Sequence, residues 1–335
     1  MVKKYSSPIV KLAIDLSNNK VQTEFTNGQE AEEKLLEEFI KLNGGSTKID
    51  LRSQRRHPEL FDILEEIIKI KADEGMKGDE FFMNNVDYRN VGEGDLNEFI
   101  AEDNTQFIVS EMANGVLTPR RQRIGEKTKV SIPTVVRGVR IYEELRRLLA
   151  GKTDWNDFIT KVSKAVIQER YNRIYTVFSG INATTPGLNS TYVYAGSYDE
   201  EKLLDIVSHV EANTGVKAHI VGTKKALRKI STAVVADSQK ESYAKVGYYG
   251  VVRGVELYDI SNVHKIGTDE FIIPDDKIWI IAGDDKFIKF VTEGDGYILD
   301  KDSSANADMS QEYTYLEATG CGLLFSQKIG VYTIQ

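Results

Sequence analysis

The residues best suited to catalysis or metal binding are few and widely spaced. The chain has four histidines and one cysteine, at His57, His209, His219, His264 and Cys321. No two histidines stand at the spacing of metal ligands, so the pattern predicts no metal site. We interpret His219 as a structural residue of a short strand and His209 as a surface or boundary residue. Cys321, between two glycines, is expected to be a small buried residue in a tightly packed strand.

Glycine-rich and acidic motifs give equally weak signals for chemistry. Gly92-Glu93-Gly94 is a bare G-x-G without the third glycine of a dinucleotide site, and the run 222–225 lacks the glycine loop of a phosphate-binding motif. The acidic pairs at 275–276 and 284–285 could bind a cation, but we interpret them as exposed turns. The sequence therefore predicts no catalytic residue, no cofactor and no metal, which is typical of a protein that is not an enzyme.

Charge is unevenly distributed along a chain whose net charge is -8. Residues 120–152 hold ten lysines and arginines against three carboxylates, whereas residues 73–103 hold two against ten and residues 267–317 four against thirteen. These stretches are either solvated faces or bands of opposite charge that meet between subunits. Under the second interpretation, the candidates for intersubunit contacts are Arg120, Arg121, Arg123, Lys127, Lys129, Glu93 and Asp95.

The first half of the chain combines short periodic segments with one long irregular stretch. Alternating apolar residues predict a hairpin over residues 12–25, and three-to-four spacing predicts helices over residues 29–42 and 58–71. Residues 80–133 show little helical period and hold two strand-like runs, at 106–111 and 127–136. We predict a projecting two-stranded excursion, which needs a partner surface because an isolated hairpin cannot bury itself.

The second half predicts helices first and strands later. A short helix over 141–150 precedes a helix over 154–179, about 40 Å long at 1.5 Å per residue. Ser197 and Glu200 form a capping box for a helix that ends near Gly215. Strand 218–221 follows, then a helix capped by Thr223. Further strands are predicted at 251–258, 277–282, 287–291 and from 313 to the end, so the fold class is α+β.

This order of parts resembles the major capsid protein of tailed bacteriophages, the Hong Kong 97-type capsid fold, over residues 80–335. The resemblance rests on the strand-then-proline run 129–133, the long helix 154–179, the strand 218–221 between two helices, and the run 247–257. It implies an N-terminal arm with a hairpin and helices (1–79), an extended β-hairpin loop (80–136), a peripheral domain with the spine helix (137–191), an axial domain (192–259), and strands returning to both domains (260–335).

The resemblance also implies a function: the subunit would assemble into an icosahedral head shell that encloses viral double-stranded DNA. Such a subunit would assemble with itself as pentamers and hexamers, using the extended loop and N-terminal arm as intersubunit straps. Scaffolding, portal and decoration proteins are possible partners, packaged DNA would touch the shell loosely, and no membrane is expected, since no stretch approaches about 20 apolar residues. The protein would be found in the virion, and in the host cytoplasm during assembly.

Some finer expectations and alternatives accompany this interpretation. We expect no removal of an N-terminal scaffolding segment and no isopeptide cross-linking through Lys77, Lys127 or Lys129. Deleting residues 84–115 is expected to leave the core folded and to abolish assembly. The alternatives are an encapsulin-like nanocompartment shell, a phage tail or neck component, and a small-molecule-binding α+β enzyme built on residues 192–335.

Overall fold

The fold is described from a computed structural model of the chain. It describes residues 8–17, 28–47, 58–77, 80–95, 97–101, 107–109, 121–123, 127–142, 155–182, 184–185, 188, 190–230, 247–283, 286–301, 312–325 and 329–334. The helices in this part are α1 (Pro8–Ser17), α2 (Gly28–Leu42), α3 (Pro58–Lys77), α4 (Glu80–Asn85), α5 (Trp155–Ser179), α6 (Glu200–Thr214) and α7 (Lys224–Arg228). The strands are β1 (Val86–Val91), β2 (Glu98–Ala101), β3 (Thr128–Ser131), β4 (Val135–Tyr142), β5 (Val193–Gly196), β6 (Ala218–Gly222), β7 (Val251–Val252), β8 (Val255–Asp259), β9 (Lys277–Ala282), β10 (Ile288–Lys301), β11 (Glu312–Leu323) and β12 (Gly330–Ile334).

The N-terminal helices α1, α2 and α3 form a layer on the first half of α5. One apolar cluster joins residues of all four helices, including Ile14, Phe39, Ile67 and Val162. Burial of this surface provides the main stabilisation of the layer, because apolar area removed from water contributes about 25 cal/mol per Å². These helices therefore pack within their own chain, and their role as straps between subunits stays a prediction.

The predicted hairpin over residues 12–25 is wrong where the structure describes it. Residues 12–17 belong to helix α1, and residues 18–25 lie outside the described part. The alternation of Leu12, Ile14 and Leu16 favoured a strand, but Val10, Ala13 and Ile14 also stand at helical spacing. All five are buried against the neighbouring helices, so tertiary packing decides the element.

Helix α5 confirms the predicted long helix and connects the layers of the molecule. Its first half buries Ile159 and Val166 against the N-terminal helices, and its second half buries Ile174 and Phe178 in another cluster. Trp279 of β9 belongs to that second cluster, with its ring centroid 4.4 Å from that of Phe178. One helix thus shares its apolar stripe between two separate cores.

A four-stranded sheet, in the order β1-β10-β11-β4, lies against α5. Strand β1 runs parallel to β10, and the other pairs are antiparallel. One prediction fails here, and another is confirmed with a longer range. The predicted helix 141–150 begins at residues that pair with β11 as the end of β4, while residues 143–150 lie outside the described part. The predicted strand 287–291 continues to Lys301, because β11 pairs along its whole length with one irregularity between Glu293 and Tyr297.

A six-stranded sheet, in the order β5-β12-β9-β6-β8-β7, carries α6 and α7. Thr223 caps α7 as predicted, and α6 ends at Gly215 with a positive φ of 71°. The N-cap of α6 is Asp199, not the predicted Ser197, since its carboxylate accepts from two first-turn amides. The predicted strand 251–258 is a hairpin, turning at Arg253 and Gly254, which both have positive φ. The mixed α+β class is confirmed.

Among the helices that the structure describes, none combines the length and apolar character of a membrane span.

Candidate assembly surfaces

Strands β2 and β3 form the root of the predicted two-stranded excursion. The excursion begins later than the predicted residue 80, because residues 80–85 form helix α4 and residues 86–91 pair with β10 as β1. The two strands of the root pair antiparallel from Glu98 with Ser131 to Ala101 with Thr128. The Asn97 side chain fixes their base. Its amide donates to the Ile132 carbonyl at 2.7 Å, and its oxygen accepts from the Ile132 amide at 2.9 Å. The root is therefore a defined two-stranded ribbon held by a side chain that no local sequence pattern marks.

This root packs directly on the four-stranded sheet. Phe99 of β2 and Ile132 after β3 form a small buried cluster with Val291 of β10. The Arg89 guanidinium lies 4.2 Å from the centroid of the Phe99 ring, which is a cation–π contact. Gly320 of β11 allows the root to pack this closely on the sheet, because a Cβ at that position would lie 2.7 Å from the Pro133 carbonyl oxygen. The excursion thus leaves the sheet from an anchored position.

Glu293 of β10 joins both ends of the root. One carboxylate oxygen accepts from the Gly94 amide at 3.0 Å, and the other accepts from the Thr134 hydroxyl. The hydrogen bond from Thr134, followed by that from Gly94, lowers the pKa of Glu293 below its usual range. The ionised carboxylate therefore stabilises the turn between β1 and β2 together with the start of β4.

Farther out, the two sides of the excursion remain in contact. The Gln122 side chain accepts from the Ile108 amide at 2.8 Å and donates to the Ile108 carbonyl at 2.7 Å. The predicted strand 106–111 is absent from its described residues 107–109, which form no ladder. Phe107, Ile108 and Val109 are all exposed large apolar residues. A run of this kind on a projecting segment is typical of an interaction site.

The predicted contact residues fall into two groups. Glu93 and Asp95 share the exposed turn between β1 and β2. On the returning side of the excursion, Arg121, Arg123, Lys127 and Lys129 are exposed, and Lys129 pairs with Glu98 at 2.5 Å. Arg120 lies outside the described residues. The structure therefore places basic residues along the excursion and acidic residues at its base, and their contacts with other subunits stay predictions.

Sequence reasoning missed the residues that position the root: Arg89, Asn97, Phe99, Ile132, Glu293 and Lys289. They come from separate stretches of the chain, so no local pattern marks them as a group. Lys289 illustrates this, since it bonds Asp87 across the β1–β10 pair at 3.3 Å and lies 5.7 Å from the Phe99 ring centroid. Only the register of β1 against β10 brings these residues together.

A polar cleft of about 480 Å³ lies between α4 and the six-stranded sheet. His219 and Glu256 are partners in the parallel β6–β8 pair, and the Tyr258 hydroxyl donates to Glu256 at 2.5 Å. Burial lowers the pKa of His219, and its ring meets that of Tyr258 edge-on. The structural role predicted for His219 accounts for these contacts. Within the described residues, no group of three histidine, cysteine or acidic side chains could hold a metal ion.

Two further sequence interpretations can be compared with the structure. Cys321 lies in a strand, β11, as predicted, but the residue is partly buried and not fully buried. Burial raises the pKa of its thiol to about 12. Asp275 is not a free exposed acid. It accepts from the Thr223 hydroxyl at 2.8 Å and pairs with Lys225 at 3.1 Å, so it secures the start of α7. Residues 284–285 lie outside the described part.

Comparison with known proteins identifies this arrangement. A protein-family model described as "SPbeta prophage-derived putative capsid protein YonB" matches residues 10–333. No curated protein sequence gives a significant match. Among solved structures, the bacteriophage PhiM1 mature capsid is similar, with a TM-score of 0.51 and 9% identity over 77% of this chain and 87% of that chain.

Two other solved structures align over similar lengths. The native GTA particle capsid has a TM-score of 0.48 and 13% identity over 75% of this chain and 88% of that chain. The virus-like particle from Pyrococcus furiosus has a TM-score of 0.45 and 16% identity over 82% of this chain and 99% of that chain. The PhiM1 similarity shows the fold, so the predicted Hong Kong 97-type capsid fold is confirmed.

Proposed function

Since this chain belongs to the YonB family of prophage-derived capsid proteins, we propose that it is the major shell subunit of a phage head that encloses double-stranded DNA. The observation that carries the proposal is the family match over residues 10–333, nearly the whole chain. The role is structural, and the subunit performs it through repeated contacts with its own copies, closed by symmetry.

The excursion between β2 and β3 supports this role. Its root is anchored on the four-stranded sheet through Phe99, while Phe107, Ile108 and Val109 remain exposed. A protein that functioned as a monomer would gain no stability from three apolar residues exposed to water on a projecting segment. In a shell, the same residues bury apolar area against a neighbouring copy, which is the dominant favourable contribution to association.

We assign the contacts around local five-fold and six-fold axes to the region 192–259. The outermost strand of the six-stranded sheet there, β7, exposes Val251, and the adjacent β8 exposes Tyr258. Exposed apolar side chains at a sheet edge favour pairing with another chain. The straps between pentamers and hexamers are assigned to the excursion, with Arg120, Arg121, Arg123, Lys127 and Lys129 supplying charge complementarity to carboxylates such as Glu93 and Asp95.

The remaining partners follow from the same role. The net charge of -8 favours loose contact with packaged DNA, because a strongly basic wall would bind phosphates through counterion release. Scaffolding, portal and decoration proteins are proposed as further partners. The subunit would assemble in the host cytoplasm and end in the virion.

The test replaces residues 102–127 with Asn-Gly. Ala101 and Thr128 are directly paired, so a two-residue turn closes the hairpin without moving β2 or β3. The deletion of residues 84–115 is unsuitable, because it also removes β1 from the four-stranded sheet. Circular dichroism should show a folded variant, and electron microscopy should show closed shells for the wild type only.

Three results would contradict the proposal. Normal shells from the shortened variant would contradict the assignment of the excursion. Wild-type protein that forms only monomers, rings or tubes would contradict the shell function. Purified native particles that contain a protein cargo and no nuclease-protected DNA would identify a nanocompartment instead of a phage head.

A further inference from the structure

The polar cleft between α4 and the six-stranded sheet is lined by side chains that leave their hydrogen-bonding groups unused. Its volume of about 480 Å³ is that of a small-molecule site, since such sites span roughly 300–1,000 Å³. Asn84 of α4, Lys217 just before β6 and His219 of β6 all line it. None of these three side chains has a hydrogen-bond or ion-pair partner in the part of the chain that the structure describes.

Asn85 adds a buried polar atom without a partner. The residue is 6% exposed and lines the same cleft. Its Nδ2 donates to the Phe81 carbonyl at 3.2 Å, whereas its Oδ1 accepts no hydrogen bond from any described residue. A buried acceptor left unpaired costs about 1–3 kcal/mol unless another group supplies the donor. Asn85 therefore indicates that the cleft receives a ligand with a hydrogen-bond donor.

The sheet side of the cleft presents an imidazole and a carboxylate next to each other. His219 and Glu256 are partners in the parallel β6–β8 register, so their side chains share one face. Burial lowers the pKa of His219, so its ring is neutral at pH 7 and offers one donor and one acceptor. The cleft's other carboxylate, Asp259, already accepts from Tyr248 and pairs with Lys224. Glu256 is therefore the carboxylate that faces a ligand.

Aromatic rings lie on both sides of these polar groups. Phe81 belongs to α4, and Tyr258 belongs to β8, with its ring centroid 5.5 Å from that of His219. Aromatic rings provide stacking surfaces for nucleobases. Carboxamides bind the edge of an aminopurine through paired bonds, carboxylates accept from exocyclic amino groups, and a lysine binds phosphate. The lining of the cleft supplies all of these groups.

We propose that this cleft binds a nucleotide whose base carries an exocyclic amino group. The carboxamides of Asn84 and Asn85 with Glu256 contact the base edge, and Lys217 contacts the phosphate. The inference goes beyond the proposed shell function and does not depend on it. Because a single lysine at the site releases few counterions, the site is compatible with otherwise loose contact between subunit and DNA.

Calorimetric titration of the full-length, unassembled subunit tests the ligand class. The probe is deoxyadenosine monophosphate, which should bind at a single site and raise the melting temperature as its concentration increases. Thymidine monophosphate, which lacks an exocyclic amino group, and inorganic phosphate should both bind at least about tenfold more weakly. Absence of deoxyadenosine monophosphate binding, or equal binding of all three compounds, would overturn the inference.

Two variants at exposed positions test the assigned contacts. Asn84→Leu and Lys217→Ala should each weaken binding of deoxyadenosine monophosphate about tenfold. Lys217→Ala should leave the affinity for deoxyadenosine unchanged, because that compound has no phosphate. The matched control is Lys202→Ala, at an exposed lysine of α6, and should bind both compounds as the wild type does. Unchanged affinity in both cleft variants, or an equal loss in the control, would overturn the inference.

A competition experiment distinguishes the two sources of such a ligand. A short single-stranded oligodeoxyadenylate that displaces the mononucleotide would identify an unpaired base of a DNA strand as the ligand. Retention of the mononucleotide in its presence would identify a free nucleotide instead, and both results support the site. The corresponding duplex should not compete, because its bases are paired and stacked. Displacement by the duplex as efficient as that by the single strand would overturn the assignment of base contacts.

Discussion

The Arg170 guanidinium of α5 donates to the Asp73 carboxylate of α3 at 2.7 Å, in a position where the arginine is 1% exposed. Its other terminal nitrogen donates to Glu317 of β11, so one side chain joins both long helices to the four-stranded sheet. Burial by itself would lower the pKa of Arg170, but the charges of Glu317 and Asp73 raise it above its usual value. The arginine therefore stays charged, and its two carboxylate partners are what make its burial possible.

Replacing Arg170 should destabilise the subunit strongly. Arg170→Met leaves Glu317 and Asp73 without their cation, and removal of one partner from a buried ion pair costs about 3–5 kcal/mol. The measurement is the free energy of unfolding of the unassembled subunit in urea. As a control, Asp205→Ala breaks the exposed pair with Lys202 and should cost less than about 1 kcal/mol. Similar losses in both variants would contradict the assignment of Arg170 as a central link.

The Glu293 contacts at the root of the excursion predict that the folding stability of the subunit depends on pH. Hydrogen bonds from Thr134 and Gly94 lower the folded-state pKa of Glu293. Its contribution to stability is therefore complete above the ordinary carboxyl pKa of about 4.3 and is lost as pH falls through the folded-state pKa. Glu293→Gln should be less stable than the wild type at pH 7.

The check is denaturant unfolding of both proteins at several pH values. The stability difference between them should shrink progressively below pH about 4. Thr134→Val removes one of the two donors and should lower stability at pH 7 in the same direction. A difference between wild type and Glu293→Gln that is unchanged at low pH would contradict the role of the ionised carboxylate.

Two neighbouring glycines of β11 should respond differently to the same substitution. At Gly320, an added Cβ would lie 2.7 Å from the Pro133 carbonyl oxygen, which is backbone and cannot move alone. At Gly322, it would lie 3.3 Å from the end of the Ile132 side chain, which can shift. Gly320→Ala should cost about 1–3 kcal/mol by overpacking the loop root.

Thermal unfolding measures this difference, with Gly322→Ala as the matched control that changes the melting temperature less. Gly320→Ala should also speed protease cleavage within the excursion, because its root no longer seats on the sheet. Equal shifts in melting temperature for the two variants would contradict this prediction, because they would show that Pro133 can move away from position 320 at little cost.

The Cys321 thiol should be chemically slow in the folded subunit. Burial, with a smaller contribution from the Glu169 charge, raises its pKa to about 12. Because the thiolate is the reactive species, little of it exists at pH 8. A chromogenic disulfide reagent should therefore react slowly with native protein and rapidly after unfolding in urea. Rapid labelling of the native subunit would contradict this account.

Local patterns predicted the elements whose stabilisation is itself local. Helices α2, α3 and α5 have apolar residues at helical spacing, and Thr223 and Gly215 mark helix ends through bonds within one turn. Where two periods fit the same residues, as at Val10 to Leu16, the pattern could not decide, and burial against α2 and α3 favoured the helix. Ile141 was wrongly assigned to a helix for a related reason, because its strand partner, Tyr313, lies far along the chain.

The order of these elements was enough to predict the α+β capsid fold and a two-stranded excursion. It did not predict the strands of the excursion correctly, because β2 lies at Glu98–Ala101, where no strand was predicted, and residues 107–109 form no ladder. The sites that position the excursion were decided only by tertiary structure. Glu293 and Thr134 lie 159 residues apart, and Arg170 and Glu317 lie 147 apart. Tyr297 and Leu299 are exposed because the β10–β11 register turns them away from the face on which Tyr315 is buried beneath the helices. Register is a property of long-range pairing, and a sequence read locally does not contain it.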